Sequence, residues 1–271
     1  MEAVTPREDH EFLASVRSYY DRTTELYLRH LGTTLQAGVL SWRHGASGAT
    51  QFPKHNLFFA ERAGIRRGAR ILDAGCGVCG PSIDIASGID DVCFDCVTIS
   101  PVQASIAKQN VDHRGLRSRV RVQVGDYHHL PFQDDFFDSA VFFESACYSY
   151  DQGALFQEVR RVLTPAGRLY VKDVFVEDGV LSAAQAEELD QINSVYACRL
   201  TTLRATAEAV RSAGFRYIES ADLSEYVDGD TFHQAMFAST QSQSTLSEFG
   251  QRHSLPFLTV RIHFGEVLAT K

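Results

Sequence analysis

The stretch Ala69-Arg70-Ile71-Leu72-Asp73-Ala74-Gly75-Cys76-Gly77-Val78-Cys79-Gly80 runs from a buried-type apolar strand through a glycine turn toward a helix opening at Pro81. Gly75 permits a tight turn, Gly77 removes a Cβ so that backbone can approach a ligand, and Gly80 lets the following helix pack close to the strand. Proline suits the first helical turn, where its missing N–H goes unnoticed. A strand, glycine turn and helix in this order cradle a nucleotide-like cofactor, although the spacing alone suits a dinucleotide equally. Two flanking features separate the ligands. Asp73, two residues before the first glycine, would repel a pyrophosphate and suits either a cationic amino-acid end or the ordering of the loop. The next strand ends at Val97-Thr98-Ile99-Ser100, without the acidic residue that a dinucleotide ribose calls for.

Outward from this turn, apolar strands alternate with helical segments from about residue 69 to 174, the pattern of a parallel sheet covered by helices on both faces. Strands are expected near 70–74, 92–98, 119–124, 138–143 and 167–174. Leu181 to Cys198 and Thr201 to Ala213 read as helices, and a strand starts in Gly214-Phe215-Arg216-Tyr217-Ile218 after a glycine stop. Glu225 to Phe249 reads as mostly helical but polar, and Phe257 to Phe264 alternates as a closing strand. Before about residue 65 no sheet partner is expected; Phe12, Val16, Tyr19, Tyr20, Leu26, Tyr27 and Leu31 recur at near-helical spacing, which predicts an amphipathic cap over the strand ends. The expected organisation is a helical cap over 1–65 and a main domain over 66–271, with substrate-side helices about 178–213 and 225–250, all one structural unit.

At 271 residues and 44% hydrophobic content the chain can bury a full core. A net charge of −8, with Arg66-Arg67 and Arg160-Arg161 as isolated pairs and no basic run, argues against nucleic acid. Met1 to His10 is polar and acidic, unlike a signal peptide, and no apolar run reaches spanning length, so a cytoplasmic protein is expected. Six cysteines include two C-x-x-C pairs, Cys76/Cys79 and Cys93/Cys96, which superficially read as a zinc ribbon. No metal is expected, because an ion at the first pair would compete with the ligand of the turn. The second pair lies on a strand, where residues three apart face opposite ways. Buried free thiols are the expectation.

With these residues in view, the chain resembles the class I S-adenosylmethionine-dependent methyltransferases. The likeness extends through Gly125-Asp126-Tyr127, Leu130-Pro131-Phe132, Phe136-Phe137-Asp138-Ser139-Ala140-Val141-Phe142 and Leu163-Thr164-Pro165-Ala166-Gly167-Arg168. It implies an α/β fold: a seven-stranded Rossmann-like sheet with a final antiparallel hairpin, helices on both faces, an N-terminal helical cap and a late helical insertion. Where most of that class carries Asp or Glu, this chain has Thr98. Cys96-Val97-Thr98-Ile99-Ser100-Pro101-Val102-Gln103 resembles instead the tocopherol, sterol, cyclopropane-lipid and geranyl-diphosphate group, which acts largely on isoprenoid or lipid carbon. Ser18-Tyr19-Tyr20-Asp21 and Leu31-Gly32-Thr33-Thr34-Leu35-Gln36-Ala37-Gly38 resemble that group's cap. The implied cofactor set is Tyr19, Gln36, Asp73, Gly75, Cys76, Gly77, Thr98, Ile99, Gln103, Gly125, Asp126, Tyr127 and Phe143, with ribose hydroxyls held by backbone and the Gln103 amide rather than by a carboxylate.

After the fourth strand comes Phe142-Phe143-Glu144-Ser145-Ala146-Cys147-Tyr148. A carboxylate at the C-terminal end of a central strand stands at the ligand edge of such a sheet. The resemblance makes Glu144 the catalytic base, with Tyr148 and Tyr20 as partners. An alkene attacking a sulfonium methyl leaves a carbocation, which a fixed anion stabilises and then deprotonates, while aromatic faces add cation–π attraction. Phe142, Phe143, Tyr148, Trp42 and Tyr20 are available for those faces. Gln191-Ile192-Asn193-Ser194-Val195-Tyr196-Ala197-Cys198 resembles a substrate-side helix of the geranyl-diphosphate enzymes. The expected partner is a small-molecule isoprenoid, most simply a prenyl diphosphate accompanied by Mg2+; self-association is compatible with the sequence. Arg199, His55, Lys172 and His233 are available cations outside the site set. The alternatives are an N- or O-methyltransferase of a natural product, with His128 or His129 as base, a nicotinamide oxidoreductase, and a cofactor-binding protein without turnover.

Overall fold

The computed structural model describes residues 6–40, 51–228 and 259–271. In chain order these form α1 (Pro6–Leu31), β1 (Val39–Leu40), α2 (Gln51–Arg62), β2 (Arg70–Ala74), α3 (Gly80–Gly88), β3 (Cys93–Thr98), α4 (Pro101–His113), β4 (Val120–Val124) and β5 (Phe137–Phe143). A single 3-10 turn at Ala146–Tyr148 leads to α5 (Gln152–Val162), β6 (Leu163–Val176), α6 (Ala183–Tyr196), α7 (Leu203–Ser212), β7 (Arg216–Asp222), β8 (Val227–Asp228) and β9 (Ile262–Thr270).

Seven strands make one sheet in the order β4-β3-β2-β5-β6-β9-β7, parallel through β6, with β9 antiparallel to both β6 and β7. The sheet is two-sided because successive strand residues face opposite ways. On β2, Ile71 joins the core beneath α2, α3 and α4, and Leu72 joins the core beneath α5 and α7. Helix starts follow local chemistry: Ser100 caps α4 by accepting the Gln103 N–H at 3.0 Å, and Ser182 and Gln185 form a reciprocal capping box on α6. Strand order reverses between β2 and β5, so the carboxyl ends of β2, β3 and β5 leave a crevice there.

Helix α1 lies across that end of the sheet, its Asp21 accepting the Ser100 hydroxyl at 2.5 Å. Some sequence expectations are corrected. Residues before 65 do find a strand partner, since Val39 and Leu40 pair with Asp228 and Val227 in a separate two-stranded sheet. Val227–Asp228 is therefore strand where the start of a polar helix was expected; residues 229–258, Trp42 and His233 lie outside the described residues. The closing strand runs Ile262–Thr270, past the expected end at Phe264, because Gly265 and Glu266 interrupt the apolar alternation without interrupting the strand; residues 257 and 258 of the expected span lie outside the described residues. Glu266 is buried there by partners: the Arg62 guanidinium grips it and the Tyr170 hydroxyl donates to it at 2.8 Å. No helix among the described residues is long and apolar enough to cross a membrane.

Candidate active site

A cleft opens at the crevice, walled by α1, the segment after it, the glycine turn and the ends of β3 and β5. The turn is shaped by what surrounds it. Gly75 has φ +86, and a Cβ there would come 2.4 Å from the Cβ of Ser145, so the ends of β2 and β5 meet only because this residue is glycine. Its N–H and that of Cys76 both donate to the Val97 carbonyl, at 2.9 and 3.0 Å, tying the turn to β3. Gly77, with φ +54, has nothing nearer to an added Cβ than Leu35 Cδ1 at 3.7 Å and Gln103 Nε2 at 3.9 Å, so the space above it is open to a ligand.

Asp73 is buried at the foot of the cleft and accepts the Ser82 hydroxyl. Burial pushes its carboxyl well above the usual range, only partly offset by that hydrogen bond. Such a group is completed by a cation brought against it. On β3, the Thr98 hydroxyl donates to Gln103 Oε1 at 2.7 Å, which leaves the Gln103 amide nitrogen for the cleft. Asp126 is fixed by the His128 backbone N–H at 2.9 Å and by the His128 ring at 2.6 Å, and the other ring nitrogen meets the Ser149 hydroxyl at 2.8 Å. A cationic amino-acid end beside Asp73, ribose hydroxyls beside Gln103 and an adenine amine beside Asp126 fit these donors and acceptors, as adenosylmethionine requires.

Glu144 follows β5 with φ +58, a left-handed backbone that a non-glycine residue adopts at some energetic penalty. Its carboxylate is on the cleft wall and 6% exposed. Oε2 accepts the Ala37 N–H at 2.6 Å; Oε1 accepts the Gly38 N–H at 3.0 Å and the Lys172 ammonium. Lys172, wholly buried on β6, also donates to Gln36 Oε1 at 2.7 Å and the Gly38 carbonyl at 2.6 Å. Burial pulls its ammonium below the ordinary lysine range and Glu144 opposes that fall. His55 meets Gln36 Oε1 at 3.0 Å and accepts the Leu40 N–H at 3.0 Å; burial, then Lys172, hold its ring well below the usual pKa. One buried network thus pins residues 36–40 to the ends of β5 and β6. In the same cleft, Tyr20 from α1 and Tyr148 meet edge to face at 5.2 Å, and burial raises both phenols well above their ordinary range.

Of the expected set, Tyr20, Gln36, Asp73, Gly75, Cys76, Gly77, Thr98, Ile99, Gln103, Gly125, Asp126, Tyr127, Phe143, Glu144 and Tyr148 line the cleft. Tyr19 does not: its hydroxyl bonds Tyr27 and its ring packs on Tyr196 at 6.5 Å, on the far side of α1. The cleft also takes Leu13, Val16, Thr33, Leu35, Pro81, Val97 and Ser145. Val16 belongs to the apolar stripe expected for the cap, and Leu13, three residues before it, continues that helical spacing. Arg199 reaches the Tyr150 carbonyl at 2.8 Å and lies over the Phe12 ring, away from the cleft. His128 is spent on Asp126 and Ser149, and His129 is exposed, so neither presents a base to the cleft. The thiols are free as expected, and all but the half-buried Cys93 are buried. Cys93 and Cys96 do diverge, yet Cys96 joins Cys76 and Cys79, with sulfurs within 4.8 Å of one another.

Residues 72–171 match the family described as a methyltransferase domain. The sterol 24-C-methyltransferase ERG6B of Gibberella zeae is 24% identical over 234 residues, covering 84% of this chain and 60% of that protein. The chain therefore spans about 60% of the length of that relative. Among solved structures, the cyclase SpnF superposes with a TM-score of 0.80 at 23% identity, covering 94% of this chain and 95% of its own. Geranyl diphosphate C-methyltransferase from Streptomyces coelicolor A3(2), in complex with Mg2+, geranyl diphosphate and S-adenosyl-L-homocysteine, gives 0.72 at 19% identity, covering 100% of this chain and 99% of its own. At these identities the structural likenesses establish a shared fold, the class I Rossmann-like methyltransferase fold.

Proposed function

We propose that the protein is a class I S-adenosylmethionine-dependent C-methyltransferase acting on an isoprenoid, most simply the alkene of a prenyl diphosphate, a reading supported by the methyltransferase-domain match over residues 72–171 and by the shared fold. The observation that carries this reading is the Glu144 carboxylate, held by the Ala37 and Gly38 N–H groups and lining the same cleft as the Tyr20–Tyr148 pair. When bound, adenosylmethionine supplies an electrophilic methyl group on a sulfonium.

The residues of the chain do the rest. The glycine turn, Asp73, Gln103 and Asp126 position the donor, which removes the entropy of bringing two reactants together. As the alkene carbon forms its new bond to the methyl group and the carbon–sulfur bond breaks, positive charge develops on the neighbouring substrate carbon. Glu144 is preorganised for that charge, because the Ala37 and Gly38 amides and Lys172 hold its carboxylate in place before the reaction begins. The Tyr20 and Tyr148 faces contribute about 0.5–2 kcal/mol each by cation–π attraction. Oε2 carries one donor, so it retains a lone pair to take the proton from the carbon beside the cation and restore an alkene. Mg2+ accompanies the diphosphate of the substrate in this reading, as it accompanies geranyl diphosphate in the Streptomyces coelicolor complex. The natural-product N- or O-methyltransferase reading is disfavoured by the engagement of both His128 nitrogens.

The test is product analysis by mass spectrometry after incubation with adenosylmethionine, Mg2+ and a panel of prenyl diphosphates. A product heavier by one methylene is expected with at least one member, and Glu144→Gln abolishes it. Absence of product from every member, or full turnover in Glu144→Gln, overturns the reading.

A further inference from the structure

The thiols of one cluster take no part in the proposed methyl transfer, although Cys76 among them borders the cleft. The sulfurs of Cys76, Cys79 and Cys96 converge within 4.8 Å of one another from two segments, the glycine turn and β3. The scaffold beneath them is fixed. The Cys76 N–H is bonded to Val97 next to Cys96, and the Cys79 N–H donates to the Cys76 carbonyl at 2.9 Å. Cys79 is held at φ +63, a conformation that glycine would adopt more easily, so the thiol is presented from a backbone that does not favour its side chain. Cys79 and Cys96 are wholly buried, and Cys76 lines the cleft.

We propose that Cys76, Cys79 and Cys96 form a three-thiolate site for a soft divalent cation of the Zn2+ type, set directly beneath the cofactor turn. Zinc–sulfur bonds of about 2.3 Å place three sulfurs about 4 Å apart in a trigonal or tetrahedral shell, so the cluster reaches ligating geometry by adjustments of less than about 1 Å. Loading converts three thiols and the aquo ion into one metal tris-thiolate with release of three protons, and no redox partner is involved. Among the described residues the group has no fourth His, Cys, Asp or Glu ligand, so one position of a tetrahedral shell is left for water or a ligand atom in the cleft, which Cys76 borders.

The full chain, kept reduced, is titrated with Zn2+ against a chromophoric chelator, and the loaded protein is studied by X-ray absorption. One ion per chain and a shell of three sulfurs at about 2.3 Å are expected. C79S and C96S each weaken the affinity by more than about tenfold, since loss of an outer-shell partner alone already costs that much, while C93S binds as the parent does. Should C96S fail to fold, C79S and the thiolate-to-metal charge-transfer absorption of Cd2+ on the unsubstituted chain carry the comparison. Fewer than three sulfurs in the shell, absence of the charge-transfer band, or equal affinity in C79S and the parent overturns the site. None of these readouts depends on methyl transfer, so the outcome is independent of the proposed function.

Discussion

The buried ammonium of Lys172 is paired with the Glu144 carboxylate, and the same carboxylate accepts the backbone N–H groups of Ala37 and Gly38. Three separate parts of the chain, the end of β5, the middle of β6 and the segment after α1, are therefore fastened at one point of the cleft wall. An unpaired charge at such a place is expensive, because the two remaining backbone N–H donors do not supply the countercharge that is removed.

Lys172→Met is accordingly expected to destabilise the protein by about 3–5 kcal/mol, whereas Lys172→Met combined with Glu144→Gln loses less, since no charge is left stranded. Denaturant unfolding of the two variants measures the difference. A double variant less stable than the single one contradicts the pairing.

Glu144→Gln separates fastening from catalysis. The amide keeps an acceptor for a loop N–H but has no basic lone pair for a proton. Turnover is expected to fall at least about 100-fold, and adenosylmethionine affinity far less. Steady-state kinetics beside titration calorimetry reads the two effects separately.

Two glycines of the turn are expected to fail differently. A Cβ on Gly80 would lie 2.1 Å from the Thr33 carbonyl oxygen, so Gly80→Ala forces α3 away from the cap and lowers stability by about 1–3 kcal/mol. Gly77→Ala meets no protein atom closer than 3.7 Å; it pays about 1–2 kcal/mol for its left-handed backbone and leaves the fold intact while obstructing the cofactor. Thermal unfolding with and without S-adenosylhomocysteine distinguishes them: Gly77→Ala should lose most of the ligand-induced rise.

Asp173 gives stability a pH dependence. Its carboxyl is pushed up from 3.8 to about 7, chiefly by burial and also by the nearby Glu144, while the Val174 and Cys147 N–H groups pull the other way. The folded state therefore holds a proton that the unfolded chain has lost. This contribution is fully present below about pH 4 and declines as pH rises through about 7. Asp173→Asn should flatten that decline in denaturation curves taken between those limits; an unchanged slope argues against it.

The glycine turn and the carboxylate after β5 were legible because each is a local signal: φ-permissive residues at fixed spacing, and one acid in an apolar run. Tyr19 and Tyr20 were not separable, since adjacent helix residues point about 100° apart and only the docking of α1 decides which reaches the cleft. A strand was expected only from 167, since proline and glycine are poor strand residues, yet β6 begins at Leu163 directly after α5 and runs through Pro165 and Gly167. Lys172 sat in an apolar strand, a place where a cation needs a partner, but the partner lay 28 residues away in sequence. The thiol cluster escaped for a related reason: alternation fixes which way a strand residue faces and says nothing about which loop folds over it.

The most direct test of the account is titration calorimetry of the full chain with adenosylmethionine, S-adenosylhomocysteine and NAD. One-to-one binding of the first two, weakened by Asp73→Asn and by Gly77→Ala, with no heat from NAD, is the predicted result. Binding of NAD, or no binding of either adenosyl compound, contradicts it.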